Sequence, residues 1–145
     1  MRVRGFTLVE LLVALAIMAI VSAVAVPIYQ EYSIRTQRTN AEKDLMLCAQ
    51  GMERLASTTF SYAGHAAGGA DTGAVTANVC TPSTTVYTIT LVAPTNANTF
   101  TLRATPVVPS VVQDEGIVET DATGAQRWDA DASGGFDPNE NTWAH

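Results

Sequence analysis

From Phe6 to Pro27 almost every position of the chain is apolar, interrupted only by Thr7, Glu10 and Ser22. At about 1.5 Å per residue this run is just long enough to cross a hydrocarbon core of about 30 Å as a helix. Past Pro27 the pattern becomes amphipathic. Ala41, Leu45, Cys48, Met52 and Leu55 recur at spacings of three and four, making one apolar stripe with Arg38, Glu42, Lys43 and Glu53 off it. The pattern predicts one long helix from Phe6 to about Ser57, with Tyr29 and Tyr32 where interfacial aromatics sit. Gly51 falls inside it at a cost of up to about 1 kcal/mol relative to Ala. Pro27 removes a helical hydrogen bond and predicts a kink or a loosened turn at the outer end of the apolar run.

The period then switches to two. Residues 85–92 and 98–105 alternate as strands do, with 94–97 between them read as a turn, so they form a hairpin. Residues 116–121 and 125–128 read as two shorter strands around 122–124. A long helix followed by strands is an α+β arrangement, the helix packed on a small antiparallel sheet. The predicted segments are 1–5, a leader; 6–28, the membrane-spanning half of the helix; and 29–57, its amphipathic half. A Gly-, Ala-, Thr- and Ser-rich loop follows over 58–84, then the sheet over 85–128 and a tail over 129–145.

Charge narrows the function classes. Eight basic residues face fourteen acidic ones, a net charge of −6. Loss of residues 1–5 removes Arg2 and Arg4 and leaves six against fourteen, near −8. That balance opposes general nucleic-acid binding, which needs a basic surface to displace counterions. Arg2 and Arg4 precede the apolar run, so the positive-inside rule keeps that end cytoplasmic and sends the rest outside. From Asp114 onward eight carboxylates are opposed only by Arg127.

The apolar run admits three explanations. A secretory signal has a shorter core and a small-x-small cleavage site, which Ser22-Ala23-Val24-Ala25 imitates weakly. A plain membrane anchor has no use for Glu10, a carboxylate that is costly in lipid and marks a functional site with a partner. The third explanation supplies the partner. Gly5-Phe6-Thr7-Leu8-Val9-Glu10 resembles the class III signal of type IV pilins and pseudopilins: a short basic leader, Gly, Phe, and an acid at the fifth position of the mature chain. The resemblance implies that prepilin peptidase cuts between Gly5 and Phe6 and methylates the Phe6 amine. It implies further that Glu10 meets the positive amine of a neighbouring subunit during assembly. A buried ion pair of that kind sets register between subunits. In the same family the region of Pro27 loosens when subunits pack.

Two cysteines, Cys48 and Cys80, suffice for one disulfide outside the cytoplasm. Cys48 sits on the apolar stripe, where a buried thiol merely filling space is the alternative. A Cys48–Cys80 bond pins the loosely composed loop to the helix and contributes roughly 3 to 4 kcal/mol in the chain-entropy model. Many pilins instead close a loop near their C-terminus, an arrangement these two cysteines do not make. The strand residues 87–90 and 100–106 also resemble a pilin subgroup classed with minor pilins.

Residues 129–140 satisfy the spacing of an EF-hand calcium loop. Asp129, Asp131, Ser133 and Asp137 stand at positions one, three, five and nine, Gly134 at the sharp turn, and Glu140 at twelve. Gly135 offers its backbone carbonyl at position seven. Oxygen ligands of this kind suit Ca²⁺ better than a transition metal. The alternative is an acidic surface loop, since helices do not flank it. His65 and His145 have no ligand-spaced partner, and the sequence contains no Ser/His/Asp set, Cys-x-x-Cys or phosphate loop, so an enzyme is not expected.

The resemblance implies a structural subunit of a type IV pilus-like filament serving adhesion, motility or DNA uptake. Its implied partners are other pilin subunits, prepilin peptidase and the inner-membrane assembly machinery. Its implied location is the bacterial inner membrane before assembly and the extracellular filament afterwards. The alternatives are a pseudopilin of type II secretion and a membrane-held calcium-binding module that never polymerises.

Overall fold

The computed structural model describes residues 6–143. Gly5, on the leader side of the expected cut, and His145 lie outside them. The chain forms two compact units, the first ending at Arg35 and the second beginning at Thr36. One helix, α1, runs over Leu8–Thr59 with Pro27 inside it.

The first unit is the apolar stretch of α1. Its large side chains are exposed throughout, Leu8 to Ile28 among them. Along this stretch the helix is long and apolar enough to cross a membrane, and lipid or neighbouring helices are the environment such a surface requires.

In the second unit the predicted stripe is the buried face of α1: Ala41, Leu45, Cys48 and Met52 are fully buried, and Leu55 is half-buried. They share a core with Tyr87, Ile89 and Leu91, with Phe100, Leu102 and Ala104, and with Val112 and Val118. The sheet is an antiparallel meander in sequence order. It comprises β1 (Gly73–Ala74), β2 (Tyr87–Asn96), β3 (Thr99–Pro106), β4 (Val118–Asp121) and β5 (Gln126–Trp128). The alternation read from the sequence is the burial pattern of the hairpin: Tyr87, Ile89 and Leu91 point inward from β2 as Phe100, Leu102 and Ala104 do from β3.

Three expectations change. The hairpin turn is two residues, Ala97 and Asn98, because Asn96 pairs with Thr99. Residues 94–96 belong to β2 after a register shift beyond Val92. Pro94 has no N–H for the ladder, and the Thr95 hydroxyl stands in for it, donating to the Val92 carbonyl and accepting the Thr101 N–H. The 58–84 loop contains a short strand, since β1 pairs with Thr90 and Leu91. Finally, Arg38 and Glu42, placed off the stripe by their charge, are buried along with Asp44.

Of these, Asp44 belongs to a strap. Residues 78–84 run back along α1 and are held at four successive levels. The Asp44 carboxylate accepts the Ser83 and Thr84 backbone N–H groups, both at 2.8 Å. Cys48 is bonded to Cys80 with Cα atoms 4.9 Å apart. Gly51 meets the Val79 backbone so closely that any Cβ would overlap its carbonyl. The Arg54 Nη2 donates to the Asn78 carbonyl at 2.7 Å. A segment rich in small residues buries little apolar surface, so covalent and polar ties fix it instead.

Candidate functional site

At the N-terminus the geometry is a reciprocal cap. The Glu10 N–H donates to the Thr7 hydroxyl at 3.2 Å, and the Glu10 Oε2 accepts the Thr7 backbone N–H at 3.0 Å. The Thr7 hydroxyl also donates to the same oxygen at 3.0 Å. This is a capping box, which satisfies two N–H groups that a helix start leaves open. Its sequence signal, Thr7-Leu8-Val9-Glu10, was present but hidden behind the stronger apolar pattern. Phe6, immediately before the box, is 90% exposed. Glu10 therefore stands in the first turn of an otherwise apolar helix, one residue type able both to cap its own chain and to meet an external cation.

At the other end, residues 129–140 form a closed loop. The Trp128 N–H donates to the Glu140 carbonyl, the Asp129 N–H to the Ile117 carbonyl, and the Trp143 indole to the Arg127 carbonyl. Gly116, at φ 70°, lets the Asp129 carbonyl approach where a Cβ would overlap it. Asp129 is buried, and its carboxylate accepts the Ser133 and Gly134 N–H groups at 2.9 and 2.8 Å. Glu140 accepts the Ala130 and Asp137 N–H groups at 2.7 and 2.8 Å.

Of the six expected ligands, carboxylate oxygens of Asp129, Asp131 and Glu140 lie within 4.8 Å of one another. Ser133 stands beside them, with its hydroxyl 3.5 Å from Asp129. Asp137 enters through its backbone N–H to Glu140, and Gly135 is exposed. Hydrogen bonds from the Ser133 side chain and backbone hold the Asp131 carboxyl below its ordinary range, which favours the charged form needed by any cation. Three carboxylates with a hydroxyl alongside are oxygen donors of the kind a hard divalent ion takes.

Four of the head's five basic groups are engaged. Arg103 pairs with Glu119 and Arg127 with Asp121, while Arg38 pairs with Glu115 and Arg54 holds the Asn78 carbonyl. Burial alone raises the Asp121 carboxyl. Hydrogen bonds from Thr123 and Ala125, with the charge of Arg127, reverse that and hold it below its ordinary range.

A long N-terminal helix opening on Phe-Thr-Leu-Val-Glu, followed by a small antiparallel sheet, defines a type IV pilin. The prokaryotic N-terminal methylation motif matches residues 1–26. The family model described as type IV minor pilin ComP, DNA uptake sequence receptor, matches residues 27–116, and this chain belongs to that family. A fimbrial protein of Pseudomonas aeruginosa is 48% identical over 42 residues, 29% of this chain and 27% of its own length. The type IV major pilin protein PilE1 of Neisseria gonorrhoeae is 40% identical over 62 residues, 43% of this chain and 34% of its own. These matches thus span about a third or less of the relatives. The crystal structure of the Neisseria meningitidis non-core minor pilin PilV shares the fold at a TM-score of 0.50 and 21% identity, covering 73% of this chain and 98% of that one. Pilins are structural subunits and not enzymes.

Proposed function

We propose that the chain is a building subunit of a type IV pilus-like filament, held in the bacterial inner membrane by residues 6–28 before assembly and carried outside in the filament. Prepilin peptidase and the inner-membrane assembly machinery are its processing partners. The observation that carries this is Glu10: a carboxylate in the first turn of an exposed apolar helix, four residues after Phe6. In lipid such a group needs a cation, and the methylated amine of another subunit supplies one. The test compares Glu10→Ala with Glu10→Gln, because Gln keeps the cap and loses only the charge. Both variants should accumulate in the membrane and be lost from sheared surface filaments at least tenfold. Normal incorporation of Glu10→Gln would refute the ion-pair role, and a secretion defect without any filament would make the chain a pseudopilin.

The description of the matched family names a DNA receptor, yet the charges of this chain favour a subunit that does not itself recruit DNA. Residues 36–143 carry five basic side chains against twelve acidic ones. Four of the five are held by carboxylates or, for Arg54, by a backbone carbonyl. The full chain in detergent should show no salt-dependent retention of duplex DNA; retention that falls steeply between 50 and 200 mM salt, the mark of phosphate contacts, would assign it the receptor role instead.

A second reading concerns Ca²⁺ in the 129–140 loop, favoured by the convergence of Asp129, Asp131 and Glu140. The ion would supply a positive centre for the three carboxylates, with Ser133, the Gly135 carbonyl and Asp137 completing the set. Ca²⁺ should raise the melting temperature of the full chain, EDTA should lower it, and Asp131→Ala should abolish the difference. Equal melts with Ca²⁺ and with EDTA would leave an acidic surface loop. A calcium effect in a chain that never enters filaments would support the non-polymerising module.

A further inference from the structure

Phe60 is the most exposed large apolar side chain of the second unit among the described residues, at 89%. It directly follows α1 with φ 57°, and its N–H donates to the Ala56 carbonyl at 2.8 Å. That is the left-handed helix cap, where glycine is the usual residue and a bulky side chain is an outlier. A glycine at this position would remove the strain and the exposed ring together. Strain retained at an exposed aromatic points to a role outside its own chain.

The same unit carries a groove of about 380 Å³ along the seam of helix and sheet, walled by Met46, Gln50, Glu53, Phe100, Thr120 and Asp121. Its helical wall, Met46 to Glu53, precedes Phe60 by seven to fourteen residues, about 10 to 20 Å along the axis. Phe60 and the helical wall of the groove therefore stand at different axial levels. Complementary surfaces of that kind make a heterologous contact, which propagates into a helical polymer when the rotation does not close. The wall is part of α1, so the contact continues the helix that opens with the methylation motif. At the rim Glu53 already holds the Tyr62 hydroxyl and Asp121 already pairs with Arg127, so the groove offers no free charge and suits an uncharged side chain.

We propose that Phe60 of one copy seats in the Met46–Gln50–Thr120 groove of a second copy, staggered along the filament axis. This contact rests on the filament reading above. The experiment measures, for the full chain, incorporation into sheared surface filaments and melting in detergent. Phe60→Gly should melt at or above the wild-type temperature yet be incorporated at least fivefold less. Gln50→Trp, which fills the groove from its exposed side, should lose incorporation equally with its melt unchanged.

Wild-type incorporation of either variant overturns the contact while the filament reading stands. Filaments of normal abundance that fail only in adhesion give the ring to an outside ligand and also overturn it. If the wild-type chain itself is absent from the filaments, the filament reading fails and the contact falls with it.

Discussion

The Arg38 guanidinium carbon lies 3.7 Å from the centre of the Trp128 ring, joining the start of the head's helical stretch to its last strand. Arg38 Nη1 pairs with Glu115 in the same place, and the Trp128 indole N–H donates to the Glu115 carbonyl at 2.7 Å. Glu42 adds a second carboxylate 3.8 Å from Arg38 Nε. One cation thus neutralises two acids while its flat face covers an aromatic ring, which a guanidinium does and an ammonium does not.

Arg38→Met should destabilise the head by about 3 to 5 kcal/mol, because Glu115 and Glu42 lose the guanidinium charge beside them in a largely buried site. Arg38→Lys keeps the charge but loses the stacking and the fork, so its loss should be smaller, on the order of 1 to 2 kcal/mol. Urea unfolding of the full chain in detergent measures both. Equal losses for Met and Lys would mean that shape, not charge, sets the role of Arg38.

Gly51→Ala reverses the expectation from helix propensity alone. An exposed helical Gly→Ala change gains up to about 1 kcal/mol. Here the added Cβ overlaps the Val79 carbonyl, a backbone atom on a segment fixed by the neighbouring Cys80, so relaxation is limited. The variant should be about 1 to 3 kcal/mol less stable, the range of overpacked cores. A more stable variant would mean that the 78–84 strap yields freely.

The contrast shows what pattern alone carries. The stripe Ala41, Leu45, Cys48 and Met52, the alternation of Tyr87, Ile89 and Leu91, and the pairing of two cysteines are local or periodic signals, and all three reappear in the fold. Gly51 read only as a weakness because the backbone it makes room for lies 28 residues away in sequence. Arg38 and Glu42 stand off the apolar stripe, and the burial of Arg38 escapes the pattern because its partners, Glu115 and Trp128, come from the far end of the chain. For the site, the methylation motif is legible, while the Thr7 cap is masked by the apolar run around it. The ligand spacing of residues 129–140 was legible too, whereas the Phe60 knob and its groove depend on a backbone angle and on tertiary packing that no spacing reports.

Removing the disulfide through Cys48→Ser with Cys80→Ser should cost about 3 to 4 kcal/mol by the chain-entropy model for the enclosed loop. The polar tie one turn earlier should prove weaker. Asp44→Ala strands the Ser83 and Thr84 N–H groups, but Ser83 is exposed and Thr84 half-buried, so the two together should cost about 1 to 2 kcal/mol, below what fully buried donors lose. Stability of oxidised wild type, the double Ser variant and Asp44→Ala, measured in one denaturant series, checks both. An Asp44→Ala loss under 0.5 kcal/mol would show that water replaces the carboxylate.

Tyr87 gives the pH dependence its sign. Burial first, and then the charges of Glu115 and Glu42, push its phenol well above the ordinary value of 10.0, with Arg38 opposing. A group raised in the folded state stabilises fully below its unfolded value and loses that contribution as pH rises through the window between the two. The unfolded chain therefore ionises at Tyr87 from about pH 10 upward while the folded chain does not, and stability falls by up to about 1.4 kcal/mol per pH unit from this one group. Its hydroxyl is buried without a hydrogen-bond partner among the described residues, so Tyr87→Phe should lie within about 1 kcal/mol of wild type at pH 7. Above pH 10 the variant should become progressively more stable than wild type. Urea unfolding of the full chain at pH 8 and pH 11 decides the matter: parallel losses in the two proteins would mean that Tyr87 ionises as readily folded as unfolded.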